Sequence, residues 1–217
     1  MITEIIIVGC GGFGREVADW CKESIGVKPI GFIDNDVNNL PSVINGLPVL
    51  GTDEWVLIQK NKCNLVVGIG PPHIRRNIYE KFKEHAIFPN VIHSSVKVGS
   101  EVTIQPDSGV IVTPGNIITC NIEIGKFVMV NLACTIGHDC KVGDFVTLSP
   151  GVNLSGRVNI GEGSYLGTNS SIVEKVNIGK WSVIGGQALV NKDLPDNVTA
   201  VGVPAKIIKE RKENWHL

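Results

Sequence analysis

Residues 130–148 read VNLACTIGHDCKVGDFVTL, with a large aliphatic side chain at Val130, Ile136, Val142 and Leu148. The spacing of six extends in both directions. Stepping by six from Val112 gives Ile118, Ile124, Val130, Ile136, Val142, Leu148, Leu154, Ile160, Leu166, Ile172, Ile178, Ile184 and Val190, every one Ile, Leu or Val. If roughly a third of residues were of this kind, chance would produce such a run with a probability on the order of 10⁻⁷. Four residues after each comes a smaller set: Ile122, Val128, Cys134, Cys140, Val146, Val152, Val158, Ser164, Ser170, Val176, Ser182 and Ala188. Glycine directly follows the large residue at Gly125, Gly137, Gly143, Gly161, Gly167, Gly179 and Gly185. The cycle begins earlier, at Ile92, Val98 and Ile104, with a two-residue insertion somewhere in 105–117.

A half-buried strand alternates with period two and a helix with period near 3.6, so neither produces a period of six with a large and a small inward position. A solenoid does. Each hexapeptide supplies one short strand and one turn, three of them close a triangular coil, and coils stack at roughly 4.8 Å through parallel ladder bonds. Residues eighteen apart then lie above one another.

The first ninety residues are a different object. Ile5-Ile6-Ile7-Val8 reads as a buried strand, Gly9-Cys10-Gly11-Gly12-Phe13-Gly14 as a turn, and Arg15 to Trp20 as a helix. This is G-x-G-x-x-G in strand–turn–helix context. Its glycines let backbone amides approach a phosphate, and Asp34 lies twenty residues past Gly14, where a ribose-binding acid is expected. A competing reading, in which the glycines only permit a tight turn, stays open at this level. One further strand–helix pair is expected before the repeats, Asn64 to Gly70 and then Ile74 to Phe82, which makes one mononucleotide-binding half and not the paired halves that hold NAD.

Composition narrows the function classes. The chain has 217 residues, 43% hydrophobic and 6% aromatic, with 20 basic against 21 acidic side chains for a net charge of −1. That balance provides no footprint for nucleic acid or an anionic membrane surface. The start, Met1-Ile2-Thr3-Glu4, lacks the basic and long apolar character of a signal peptide, so a cytoplasmic location is expected. Six cysteines, with no C-x-x-C pair, predict reduced thiols and no metal site.

The [LIV]-G-x-x-[STAV]-x repeats over about 91–206 resemble the left-handed parallel β-helix of the hexapeptide-repeat acyltransferases. Joined to Gly9–Glu16, Phe32-Ile33-Asp34, Gly68-Ile69-Gly70 with Ile74-Arg75 behind it, Ile136-Gly137-His138-Asp139 and Gly202-Val203-Pro204-Ala205-Lys206, they are similar to the bacterial sugar acetyltransferases. That family includes sialic-acid O-acetyltransferases and N-acetyltransferases of nucleotide-linked 4-amino sugars. The expected fold is therefore an α/β half-Rossmann domain over 1–90, a left-handed β-helix over 91–206 and a tail over 207–217.

Within its hexapeptide, Ile136 and Cys140 face inward, which puts His138 on the outer side of a corner, where histidine suits proton acceptance near neutral pH. Asp139 beside it is placed to hold the ring tautomer. A solvated surface histidine and an ordinary turn aspartate are the alternatives. Gly156, eighteen residues on, is placed to offer its amide to a thioester oxygen. The resemblance implies contacts to acetyl-coenzyme A from Gly156 and, on the same edge of following coils, from Thr168 and Gly186, with Pro204 and Lys206 at the far end. It implies nucleotide contacts from Gly11, Gly12, Phe13, Asp34 and Gly70, and a sugar contact from Asn131. One departure stands out: some members carry a second histidine where this chain has Thr147. His73 lies near the same pocket without an assigned role.

The expected reaction is acetyl transfer from acetyl-coenzyme A to an amino group of a nucleotide-linked deoxyamino sugar, with His138 as general base, no metal, and a homotrimer whose sites lie between neighbouring coils. O-acetylation of a sugar hydroxyl, an NAD-dependent oxidoreductase and a non-catalytic repeat scaffold are the alternatives. The nucleotide and the sugar are not specified by the sequence.

Overall fold

The computed structural model describes residues 2–24, 26–212 and 215. Of the tail expected over 207–217, residues 213, 214, 216 and 217 lie outside the described residues.

The N-terminal unit runs β1 (Thr3–Val8), α1 (Gly12–Cys21), β2 (Val27–Ile33), β3 (Val43–Ile44), β4 (Leu47–Gly51), α2 (Asp53–Leu57), β5 (Cys63–Val67), α3 (Pro72–Phe82) and β6 (Ala86–Ile87). Its sheet order is β3-β4-β2-β1-β5-β6, all parallel except the β3–β4 hairpin. This is a fuller domain than expected. The sequence reading missed β4 and α2: Leu47-Pro48-Val49-Leu50-Gly51 contains a proline, which demotes it as a strand, and α2 has only five residues. β1 is central because Ile5 and Ile7 point to one face and Ile6 and Val8 to the other, each 4% exposed or less. Strand order reverses between β1 and β5, so a crevice opens at their C-terminal ends.

The repeats form the left-handed parallel β-helix. Its first face begins Val91–Ile92, Ile111–Val112, Met129–Val130; its second Lys97–Val98, Ile117–Ile118, Thr135–Ile136; its third Val102–Ile104, Ile122–Ile124, Lys141–Val142. From Val112 to Val190 all large and small positions singled out above are buried along one core, whereas in the first coil Ile92 and Ile104 are partly buried and Val98 is exposed. Ile111 pairs with Met129, eighteen residues on, but with Val91, twenty residues back, and the same offset of twenty links Val102 to Ile122. The insertion therefore lies between Ile104 and Ile111. Asn90 secures it, donating from Nδ2 to the Gln105 carbonyl at 2.7 Å and accepting from Ser108 Oγ at 3.0 Å.

The glycines after the large residues answer to close approach and not to backbone conformation. A Cβ on Gly137 would fall 2.8 Å from the Gly156 nitrogen, and one on Gly167 2.6 Å from the Gly186 nitrogen in the next coil. The left-handed corner residues lie two further along and are mostly not glycine: Asn121, Asp139, Arg157 and Lys175 on the edge joining the second face to the third, Phe127, Phe145 and Trp181 on the edge joining the third to the first.

Those aromatics dock the N-terminal unit. Phe127 and Phe145 stack at 5.4 Å, and Tyr79 of α3 packs on both. The first face is covered in its early coils, burying Ile111, Met129 and Thr147, while Tyr165 further along is half-exposed. The chain closes with Val198–Val201 and an antiparallel strand Lys206–Glu210, so the expected tail starts inside a strand. Among the described residues no helix is long and apolar enough to cross a membrane.

Candidate active site

His138 is half-exposed on the second edge, and its Nδ1 lies 2.8 Å from Asp139 Oδ2. That bond assigns the ring proton to Nδ1 and leaves Nε2 with the lone pair. Asp139 is itself held from both neighbouring coils. Asn121, eighteen residues before, donates to Oδ1 at 3.2 Å; Arg157, eighteen after, has Nε 3.7 Å from Oδ2 and pairs with Glu174 at 3.0 Å. The hydrogen bond from His138, then the one from Asn121, hold the Asp139 carboxyl below the usual carboxylate range. The sequence reading missed Asn121 and Arg157, although the spacing of eighteen on either side of Asp139 pointed to them.

Gly156 lies directly against the imidazole. A Cβ there would fall 2.5 Å from His138 Nε2 and 2.5 Å from Cε1. Other coils carry Cys120, His138 and Glu174 at the same corner position, so the turn itself does not demand glycine. The ring does. The amide of Gly156 also makes none of the stacking bonds that its neighbours make, Ser155 to the Ile172 carbonyl and Arg157 to the His138 carbonyl. Gly156 is itself buried beneath the half-exposed ring, so a backbone amide without a stacking bond and a ring nitrogen lie side by side on the edge.

Thr168 and Gly186 require a correction. They belong with Leu132 and Pro150 on the edge joining the first face to the second, one whole face away from His138 and Gly156. The error is arithmetic: 168 minus 156 is twelve, two hexapeptides, which turns the corner twice instead of stacking. Both are exposed, as are Pro204, which follows a cis peptide from Val203, and Lys206.

On the N-terminal unit, Gly11 caps α1 and Gly12 opens it, both exposed; a Cβ on either meets nothing within 4 Å. Gly14, by contrast, is pressed on the Gly9 carbonyl, and Gly68 on the Gly14 Cα. Phe13 packs edge-on against Trp20, centroids 6.0 Å apart. Asp34 holds the turn in shape, accepting from the Cys10 amide at 2.8 Å and the Asp36 amide at 3.0 Å. It lines a cavity of about 170 Å³ with Asn35, Asp53, Ile69, Ile74 and Ile78. Burial, then the Asp34 charge, push the Cys10 thiol up to about 11, so the turn carries no thiolate at neutral pH.

Gly70 joins the two halves. Its carbonyl accepts from Thr147 Oγ1 at 2.8 Å and from Arg75 Nη1. Thr147, fully buried, therefore spends its hydroxyl on the domain junction, which is what fills the place of the second histidine. Asn131 is half-buried at the first edge, its Oδ1 accepting from the Leu132 amide at 2.8 Å. Gly70, Thr147 and Asn131 thus lie on the first face or its edge, with the second face between them and His138. A groove of about 730 Å³ runs along the third face past Glu123, Lys141 and Asn159 and touches none of these residues. Among the described residues no cluster of three or more His, Cys, Asp or Glu could hold a metal ion.

Comparison with known proteins agrees with this fold. The PglD N-terminal domain family matches residues 4–82. GDP-perosamine N-acetyltransferase of Escherichia coli is 30% identical over 140 residues, a stretch that spans 62% of this chain and 62% of that protein. The structure of PerB from Caulobacter crescentus in complex with CoA and GDP-perosamine shares 31% identity and a TM-score of 0.87, over 96% of this chain and 99% of that one. The acetyltransferase domain of PglB from Neisseria gonorrhoeae in complex with acetyl coenzyme A shares 29% identity and a TM-score of 0.86, over 96% of this chain and 100% of that one. With both halves matched along nearly the whole length, the chain belongs to the hexapeptide-repeat sugar acetyltransferases, the family of the nucleotide-amino-sugar N-acetyltransferases.

Proposed function

We propose that the protein transfers the acetyl group of acetyl-coenzyme A directly to the amino group of a nucleotide-linked deoxyamino sugar in the cytoplasm, with His138 as general base. The observation that carries this reading is His138 Nε2, on a half-exposed ring set against the backbone of Gly156 while Nδ1 is tied to Asp139. Nε2 takes a proton from the attacking amine as nitrogen bonds to the thioester carbonyl carbon. The Gly156 amide donates to the oxygen on which charge develops. Asp139 stabilises the imidazolium, and His138 then returns the proton to the departing sulfur, so the base is regenerated. The two relatives that act on or bind GDP-perosamine support an amine acceptor over a hydroxyl.

The placement of Gly70 and Asn131 one face away from His138 supports a homotrimer in which two edges of neighbouring copies meet over one site. Thr168 and Gly186, on the first edge, would then reach acetyl-coenzyme A from the copy opposite His138. Pro204 and Lys206 extend that surface at the far end.

A panel of nucleotide-linked 4-amino sugars, each offered with acetyl-coenzyme A and read by thiol release, tests the reading; the matching 4-hydroxy sugars serve as the other arm. Thiol release with a 4-amino sugar alone is expected. Release only with hydroxyl acceptors would replace the reading with O-acetylation, and none with any acceptor would remove it.

A further inference from the structure

Arg75, on α3, is 1% exposed, and all its bonds go to carbonyl oxygens. Nε donates to Phe127 at 3.1 Å, Nη2 to Phe145 at 2.7 Å and Val146 at 3.2 Å, and Nη1 to Ile69 at 3.2 Å and to Gly70. Among the described residues no carboxylate pairs with it. A buried cation normally has one, because desolvation penalises an isolated charge. Burial pushes its pKa down to about 9, which still leaves it cationic at pH 7. Five carbonyl dipoles solvate the charge without cancelling it, so its field extends into the low-dielectric surroundings.

The direction of one peptide gives that field a use. The Ile69–Gly70 bond is trans, since among the described residues the cis bond is Val203–Pro204. In a trans peptide the carbonyl and amide point oppositely, so with the Ile69 oxygen turned onto Arg75 the Gly70 amide is turned away from it. Pro71 and Pro72 carry no amide, which makes Gly70 the last donor of the loop. That loop is one lip of the crevice between β1 and β5; Gly11 and Gly12 at the start of α1 are the other. We propose that Arg75 is a positioning residue for the diphosphate of the nucleotide sugar, aiming the Gly70 amide into the crevice and placing an uncompensated positive charge behind it. This rests on the nucleotide-sugar reading of the site. Arg75 never touches the ligand.

A structural role alone would weaken every ligand of the N-terminal unit, whereas this role discriminates by phosphate. The measurement is the affinity of the full-length protein for GDP and guanosine, and for UDP and uridine, by calorimetry, in wild type and Arg75→Gln. For whichever base binds, the nucleoside diphosphate is expected to weaken by on the order of tenfold while the bare nucleoside stays within about twofold, the scale of one charge-assisted contact. Equal weakening of both, or of neither, overturns the proposal and leaves the nucleotide-sugar reading standing. A wild type that binds no nucleoside diphosphate removes that reading and the proposal with it. If the glutamine chain does not fold, Thr147→Val decides, because it removes only the other anchor of the Gly70 carbonyl. A selective loss of diphosphate affinity supports the proposal; an unchanged ratio of the two affinities overturns it.

Discussion

The imidazole of His138 lies across Gly156 so closely that one methyl group on the glycine would fall 2.5 Å from Nε2. Two residues eighteen apart, each unremarkable alone, thereby define the proposed reacting spot. The methyl displaces the ring and leaves the coil alone, since the same corner position accepts Cys120 and Glu174 elsewhere. Gly156→Ala is therefore expected to lower kcat by about 10–10²-fold, the cost of misplacing a catalytic group by roughly an ångström. The thermal midpoint should move by less than about 4 °C. Steady-state kinetics beside calorimetric melting checks both; a normal kcat would show that the ring does not act where it stands.

Loss of the base should cost more. His138→Ala is expected to lower kcat by roughly 10²–10⁴-fold with little change in either KM, and Asp139→Asn by less. Acid adds a signature. The Asp139 carboxyl is depressed by its bond from His138 and then by that from Asn121, so its ionised state persists at neutral and mildly acid pH and is lost only as pH falls through the lowered value. Down to about pH 5 the loss of the Asp139 charge should then contribute nothing to the fall of log kcat. A carboxyl resonance of Asp139 that titrates above that pH by NMR would show that its bonds from His138 and Asn121 do not hold it ionised.

How far the sequence could be read follows from which constraints are periodic. Every inward position of the coil was legible, because steric fit to a triangular core repeats each six residues and leaves a mark at Ile136 as at Ile178. His138 was legible by exclusion from that pattern. What escaped were relations between elements of different period. Arg75 reaches the carbonyls of Phe127 and Phe145 across more than fifty residues, and nothing in its local sequence marks it as the junction. The β4–α2 pair escaped for a local reason: Pro48 and a single helical turn fall below what propensity can announce. Thr168 and Gly186 were assigned to the wrong edge by counting in sixes where stacking counts in eighteens.

Separation of His138 from Gly70 by a whole face is what the proposed two-chain site rests on, and that proposal is open to complementation. A His138→Ala chain retains an intact crevice; a chain with Gly12 replaced by tryptophan retains an intact base. Each alone should be inactive at ordinary acceptor concentrations. Co-expressed and purified as mixed assemblies through different tags, they should regain a measurable fraction of wild-type kcat, since some interfaces pair the two undamaged edges. Recovery of none would place the whole site within one chain.

Gly12 and Gly14, two residues apart in one turn, should fail in opposite ways. A Cβ on Gly12 meets no protein atom within 4 Å, so valine there is tolerated by the fold and crowds only what binds at the start of α1. Gly12→Val is expected to raise KM for the nucleotide sugar by on the order of tenfold, with KM for acetyl-coenzyme A unchanged, because the acetyl donor is expected on the coil edges and not in the crevice. A Cβ on Gly14 would strike the Gly9 carbonyl, which is backbone and cannot swing away. Gly14→Ala should therefore act on stability, costing about 1–3 kcal/mol through displaced backbone, and should lower the melting transition before it alters any kinetic constant of the folded fraction. If Gly12→Val instead raised KM for acetyl-coenzyme A and spared the sugar nucleotide, the crevice would hold the acetyl donor, and the assignment of the two substrates to the two halves of the chain would be reversed.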